Sequence, residues 1–239
     1  KGSIEVTGRR WRSRSDFEEE PLHLWCPTLA GAVGSLRLLH GEKVLLETSG
    51  RAYLDHNRSS APLDEQGIAY WHWGRIPFEE QDLIYYLAYP ESEEVAPVLY
   101  LAALCSSGEF LELPIESVVY GEPQAQRYGL EYPQTIVVRT ASQEVLEISL
   151  KSMVEDGPFY LRAMIVGKRE SDGSQALGTA ELVCPNRINR QWQLPFVRMR
   201  IQREPYENSI WVPLFCGPRE NRIQRLIRSW FSPPGERSS

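Results

Sequence analysis

No apolar run in the 239-residue chain reaches the roughly 18 residues that a bilayer-spanning helix needs, so a transmembrane segment is excluded. Cysteine is scarce: Cys26, Cys105, Cys184 and Cys216 are far apart and form no CxxC pair. That spacing argues against a zinc site, and the apolar neighbours of the four suit reduced, structural thiols. Basic charge is not in excess either. The formal net charge is -6, with acidic and basic residues interspersed, which argues against a nucleic-acid partner. Phosphate loops, nucleophile elbows, dinucleotide fingerprints, internal repeats and low-complexity stretches are all missing. Nucleotide-dependent chemistry therefore finds no support, and the composition is that of an ordinary soluble globular protein.

Helical periodicity is also missing from most of the chain. Short segments rich in β-formers take its place: Ile4 to Trp11, Gly34 to Leu39, Lys43 to Thr48, Leu83 to Tyr89 and Val98 to Leu104. Thr135 to Arg139, Val145 to Ser152, Phe159 to Lys168 and Phe196 to Gln202 continue the series. Turn chemistry separates them at His40-Gly41-Glu42, Ser106-Ser107-Gly108, Glu155-Asp156-Gly157 and Ser171-Asp172-Gly173. Such recurrence predicts an all-β sandwich or barrel. The exception follows Arg219, where Ile223, Leu226, Ile227, Trp230 and Phe231 fall at helical spacing between arginines, before Pro233-Pro234. This short amphipathic helix over 219–231 either packs on the barrel or rests on a membrane surface.

Three pairs of residues stand two apart: His23 and Trp25, Tyr53 and Asp55, Trp71 and Trp73. Along a strand such residues share a face, which leaves Leu24, Leu54 and His72 on the opposite side. If the three faces line one cavity, it holds a carboxyl group, an imidazole, a phenol and three indoles. Asp and His are seldom buried without partners, so the set points to chemistry. A metal site built from His23, His56, His72 and Asp55 is disfavoured, because Asp55 and His56 point to opposite faces. Asn57-Arg58-Ser59 matches a glycosylation sequon, a triplet common by chance.

The same residues carry a family resemblance. His23-Leu24-Trp25, Gly50-Arg51-Ala52-Tyr53-Leu54-Asp55-His56-Asn57 and Trp71-His72-Trp73-Gly74-Arg75 resemble the signature blocks of the carotenoid 1,2-hydratase (hydroxyneurosporene synthase) family. Glu155 to Arg162 and Pro195 to Arg200 resemble later blocks, in the same order. The resemblance implies lipocalin-like antiparallel β-barrels, paired in family members, with a mostly apolar cavity and no cofactor. The match covers roughly residues 20–202, and the expected division of the chain is a lipocalin-like β-barrel region over 1–218 followed by the amphipathic helix and tail over 219–239. Hydratase members add water to the terminal alkene of an acyclic carotene, and positions matching His23, Trp25, Tyr53 and Asp55 are their proposed active-site residues. Those members carry about one barrel ahead of the His-x-Trp block, whereas 22 residues precede it here. The chain is therefore expected to be a trimmed or a reduced relative.

The expected chemistry is cofactor-free hydration. Asp55 protonates the alkene, Trp25, Tyr53, Trp71 and Trp73 face the tertiary carbocation, and His23 orients or deprotonates the capturing water. The expected partner is a carotenoid or other isoprenoid. A non-enzymatic carrier of prenyl lipids, or a pericyclase-like enzyme, would use the same cavity without the acid.

Overall fold

Between Thr135 and Thr140 every second side chain is apolar or small, and in the computed structural model Ile136, Val138 and Thr140 are the buried ones. The alternation recurs in Leu161, Ala163 and Ile165, and in Ala180 and Leu182, as a half-covered strand requires. The structure describes residues 2–7, 23–59, 61–105 and 110–188. The chain divides into two compact units, Lys1–Arg187 and Ile188–Ser239, and the described elements belong to the first. The turn at 106–108, the strand expected over 196–202 and the helix expected over 219–231 lie outside the described residues.

The first seven strands are β1 (Gly2–Thr7), β2 (His23–His40), β3 (Lys43–Ser59), β4 (Ile68–Pro77), β5 (Gln81–Pro90), β6 (Val98–Cys105) and β7 (Phe110–Glu112). The remainder are β8 (Ile115–Tyr120), β9 (Pro123–Ala125), β10 (Glu131–Pro133), β11 (Thr135–Thr140), β12 (Val145–Asp156), β13 (Tyr160–Arg169) and β14 (Gln175–Val183). Nine of them form one antiparallel sheet in the order β7-β6-β5-β4-β14-β13-β12-β11-β8. The sheet's two edges, β7 and β8, are separated in the chain only by Leu113 and Pro114. Leu113 N–H still bonds Leu101 of β6, while the Pro114 carbonyl already accepts from Ala141 beyond β11. One segment thus serves both edges, and the sheet curls into a lipocalin-like half-barrel.

One face of this sheet is the core. Tyr85, Leu87, Ile136, Ile148, Leu161, Ile165 and their neighbours form a single packed cluster. Gly74 lies opposite Tyr85, and a Cβ there would meet the Tyr85 ring at 2.3 Å. Only glycine lets the phenol cross β4, which explains its place in the Trp-His-Trp-Gly-Arg block. His72 faces the same interior, among Tyr70, Tyr120 and Tyr132.

Burial lowers the His72 pKa from 6.5 to about 3. As pH falls below 6.5 the unfolded chain takes up a proton that folded His72 refuses until about 3, so stability drops through that window. Between pH 7 and 5 the wild type should lose about 2 kcal/mol more than His72→Phe. Urea unfolding of both proteins at the two pH values checks this, and equal losses would contradict it.

β5 is buried on both faces because a second sheet, in the order β1-β2-β3, covers its outer side. The anchor is Asp82, which is 2% exposed. Its Oδ2 accepts the Gly31 N–H of β2 at 2.8 Å and the Arg75 guanidinium of β4 at 2.8 and 3.2 Å. Gly31 has φ +61°, a left-handed conformation that frees its amide to point at the carboxylate. Arg51 of β3 adds a contact at 3.8 Å and bonds the carbonyls of Phe78 and Glu79. Away from this anchor the covering sheet stands clear, with Ile4 75%, Val33 64% and Leu45 61% exposed, so its docking rests on the half nearest β5.

Candidate functional site

Where the β2–β3 hairpin crosses the outer face of the nine-stranded sheet, the two surfaces leave a cleft of about 380 Å³. The hairpin contributes Trp25, Tyr53, Asp55 and Asn57. Tyr53 and Asp55 alternate along β3, and Trp25 of β2 pairs in register with Asn57, so strand geometry alone puts them on one face. The sheet contributes Trp71 and Trp73 of β4, Tyr86 of β5 and Glu181 of β14, with Leu63 at the side. Trp73 lies opposite both Tyr86 and Glu181 in the ladder, which gathers these three side chains at one spot.

Aromatic contacts close the gap between the two layers. The Trp25 ring stacks on Tyr86 at 5.3 Å and meets Tyr100 edge-on at 5.5 Å. Tyr53 leans on Trp73 at 5.3 Å, and the Arg75 guanidinium sits 5.8 Å from the Tyr53 ring centre. Each such pair contributes about 0.5–1.5 kcal/mol beyond its buried area, so the cleft walls are held firmly.

Asp55 sits among neutral donors. Trp25 Nε1–H donates to its Oδ2 at 3.0 Å, and the Tyr53 hydroxyl donates to the same oxygen at 3.3 Å. Burial, and then the adjacent Asp55 charge, push the Tyr53 phenol far above its ordinary range, so it remains a donor. With Oδ2 accepting twice, a proton carried by this carboxyl belongs on Oδ1, which takes no hydrogen bond among the described residues.

Glu181 has different company. The Tyr160 hydroxyl donates to its Oε1 at 2.5 Å, and Arg162 reaches the same oxygen with Nε at 3.2 Å and Nη2 at 3.0 Å. The cleft thus has one carboxyl held by an indole and a phenol and another held in an ion pair.

Of the residues singled out in the sequence, Trp25, Tyr53, Asp55, Trp71 and Trp73 line this one cleft. The backbone of His23 opens β2 opposite Ser59, and the position of its ring lies outside the described residues. His72 points into the barrel and His56 is exposed, so neither joins Asp55. The cleft also lies outside the barrel core, whose interior is filled by the tyrosines and aliphatic side chains above. Sequence reasoning missed Tyr86 and Glu181, which reach the cleft only through strand pairing, and the Tyr160–Arg162 pair that holds Glu181.

Comparison with known proteins fits this architecture. A curated relative, the hydroxyneurosporene dehydrogenase of Chlorobaculum tepidum, is 26% identical over 211 residues, covering 84% of this chain and 53% of that protein. The chain spans about half the length of the curated relative it matches. A crystal structure assigned as an AttH from Nitrosomonas europaea shares the fold at a TM-score of 0.55 and 16% identity, over 75% of this chain and 60% of that one. Kievitone hydratase from Nectria haematococca aligns over 64% of this chain and 50% of its own, at a TM-score of 0.46 and 17% identity. The family described as carotenoid hydratase CrtC matches residues 1–209, a span that takes in every residue lining the cleft. By that match, the chain belongs to the carotenoid hydratase CrtC family.

Proposed function

We propose that the cleft adds water across a terminal isoprenoid alkene without a cofactor, with Asp55 as the acid. The observation that carries this reading is the carboxyl of Asp55, oriented by Trp25 and Tyr53 through Oδ2, in a cleft walled by aromatic rings. Oδ1–H donates its proton to the less substituted alkene carbon, and the π electrons form the new C–H bond. The neighbouring carbon becomes a tertiary cation, which the negative faces of Trp25, Tyr53, Trp71 and Trp73 stabilise. Water captures it to give a tertiary alcohol, with His23 at the start of β2 as a group to orient or deprotonate that water. The step uses Asp55 in its acid form, with the proton on the oxygen that Trp25 and Tyr53 leave open.

Membership of the carotenoid hydratase family supports an acyclic carotene or a related prenyl chain as substrate. The direct test incubates the protein with lycopene and reads the product by mass. A product heavier by one water is expected. Lycopene that binds and is recovered unchanged would favour a prenyl-lipid carrier, in which Asp55 has no task.

A further inference from the structure

The second carboxyl of the cleft has no part in the scheme above. Glu181 lines the same cavity as Asp55 and stands beside Trp73 in the sheet ladder. All three of its donors, from Tyr160 and Arg162, converge on Oε1, and Oε2 accepts none among the described residues. Burial and the adjacent carboxylate push the Tyr160 phenol upward, so it stays a donor and keeps Oε1 occupied. Oε2 is thereby the open acceptor of a cleft-lining carboxyl whose other oxygen is fixed by three donors. The partner it suits is a small O–H donor, a water molecule or an alcohol.

We infer that Glu181 is the hydroxyl-holding pole of the cleft: it seats the water that captures the cation and takes the proton that water releases. The inference rests on the hydration reading, and it extends to the tertiary hydroxyl of the product. The balance closes on this chain's own groups. Asp55 Oδ1–H gives its proton to carbon, and the alkene π pair makes the C–H bond. A lone pair of the water makes the C–O bond, and one water proton passes to Glu181 Oε2. Solvent then carries a proton from Glu181 back to Asp55, and both carboxyls return to their starting forms. No step requires His23, so the two candidate bases are separable by experiment.

Two measurements on the whole protein test the inference. The first is turnover of lycopene by Glu181→Gln, which keeps the size of the side chain and an acceptor for Tyr160 and Arg162. A loss of about 10²-fold is expected, as for removal of a general base. The second needs no turnover: quenching of the cleft tryptophans reports binding of tetrahydromyrcenol, a saturated tertiary alcohol, and of its parent hydrocarbon. The wild type should prefer the alcohol by about 10-fold, the scale of a hydrogen bond to a charged group, and Glu181→Leu should erase the preference. Arg162 is half exposed and can turn to solvent in these variants, and an unchanged circular dichroism spectrum controls for the fold. Full turnover in Glu181→Gln, or an alcohol preference that survives in Glu181→Leu, overturns the inference while hydration stands. If the wild type makes no alcohol from lycopene yet Glu181→Leu erases the preference, hydration falls and the hydroxyl-binding pole remains.

Discussion

Asp55→Asn should lower turnover by at least about 10²–10⁴-fold while leaving fold and ligand affinity nearly unchanged. The amide has almost the size of the carboxyl, and its oxygen can accept from both Trp25 Nε1–H and the Tyr53 hydroxyl, as Asp55 Oδ2 does. The NH₂ group then occupies the position of Oδ1, the oxygen assigned to the transferable proton. It presents hydrogens to the cleft, but none acidic enough to protonate an alkene. The cleft walls are untouched, so quenching of their tryptophans by a bound carotene should report the same affinity in both proteins. A loss of affinity as large as the loss of turnover would instead mean that Asp55 shapes the cleft rather than acts in it.

The largest stability effect is expected at Asp82. Asp82→Ala leaves the Arg75 guanidinium, only 12% exposed, without its carboxylate, and removes the acceptor of the Gly31 N–H. Stranding a buried partner in this way costs about 3–5 kcal/mol. The exposed Arg37–Glu47 pair, at 3.9 Å, is the control: Arg37→Ala should cost no more than about 1 kcal/mol. Urea denaturation of both variants makes the comparison, and equal costs would remove Asp82 as the anchor. Because that anchor seats the covering hairpin, Asp82→Ala should also weaken carotene binding in whatever fraction stays folded. Arg75 would no longer be held beside the Tyr53 ring, and the hairpin carries Trp25, Tyr53 and Asp55.

Much of the barrel was legible in the sequence because its strands alternate. β5, β6, β11, β12 and β13 fall where runs of β-formers end in turn residues, within a few positions of the expected limits. β14 escaped because Gly178, Ala176 and Ala180 dilute its pattern. The structure supplies the reason: a Cβ on Gly178 would lie 2.4 Å from the Arg75 carbonyl, so small residues let β14 approach β4. β2 and β3 were read only at their hairpin end. They run far longer because register shifts between Pro27 and Leu29, and between Leu29 and Ala32, absorb residues that look like breaks.

The candidate site divides in the same way. Residues two apart on a strand share a face, and that rule alone brought Tyr53 with Asp55 and Trp71 with Trp73 into one cleft. Glu181 carries no such local sign. It sits in an ordinary Ala-Glu-Leu stretch and becomes a cleft residue only through the pairing of β14 with Trp73 of β4, which no spacing along the chain announces. The placement of the cleft was equally hidden. A barrel resemblance suggests an interior cavity, but the interior here is filled with side chains, and the cleft lies beneath the hairpin that Asp82 holds down.

Hydration of lycopene in heavy water tests the central claim most directly. Protonation by Asp55, refilled from solvent, should leave one deuterium bound to the carbon next to the alcohol carbon, where back-exchange cannot remove it. The wild type should give that product, and Asp55→Asn should give none above the uncatalysed background. An alcohol lacking the carbon-bound deuterium, or the same labelled product formed at the wild-type rate by Asp55→Asn, would contradict the account.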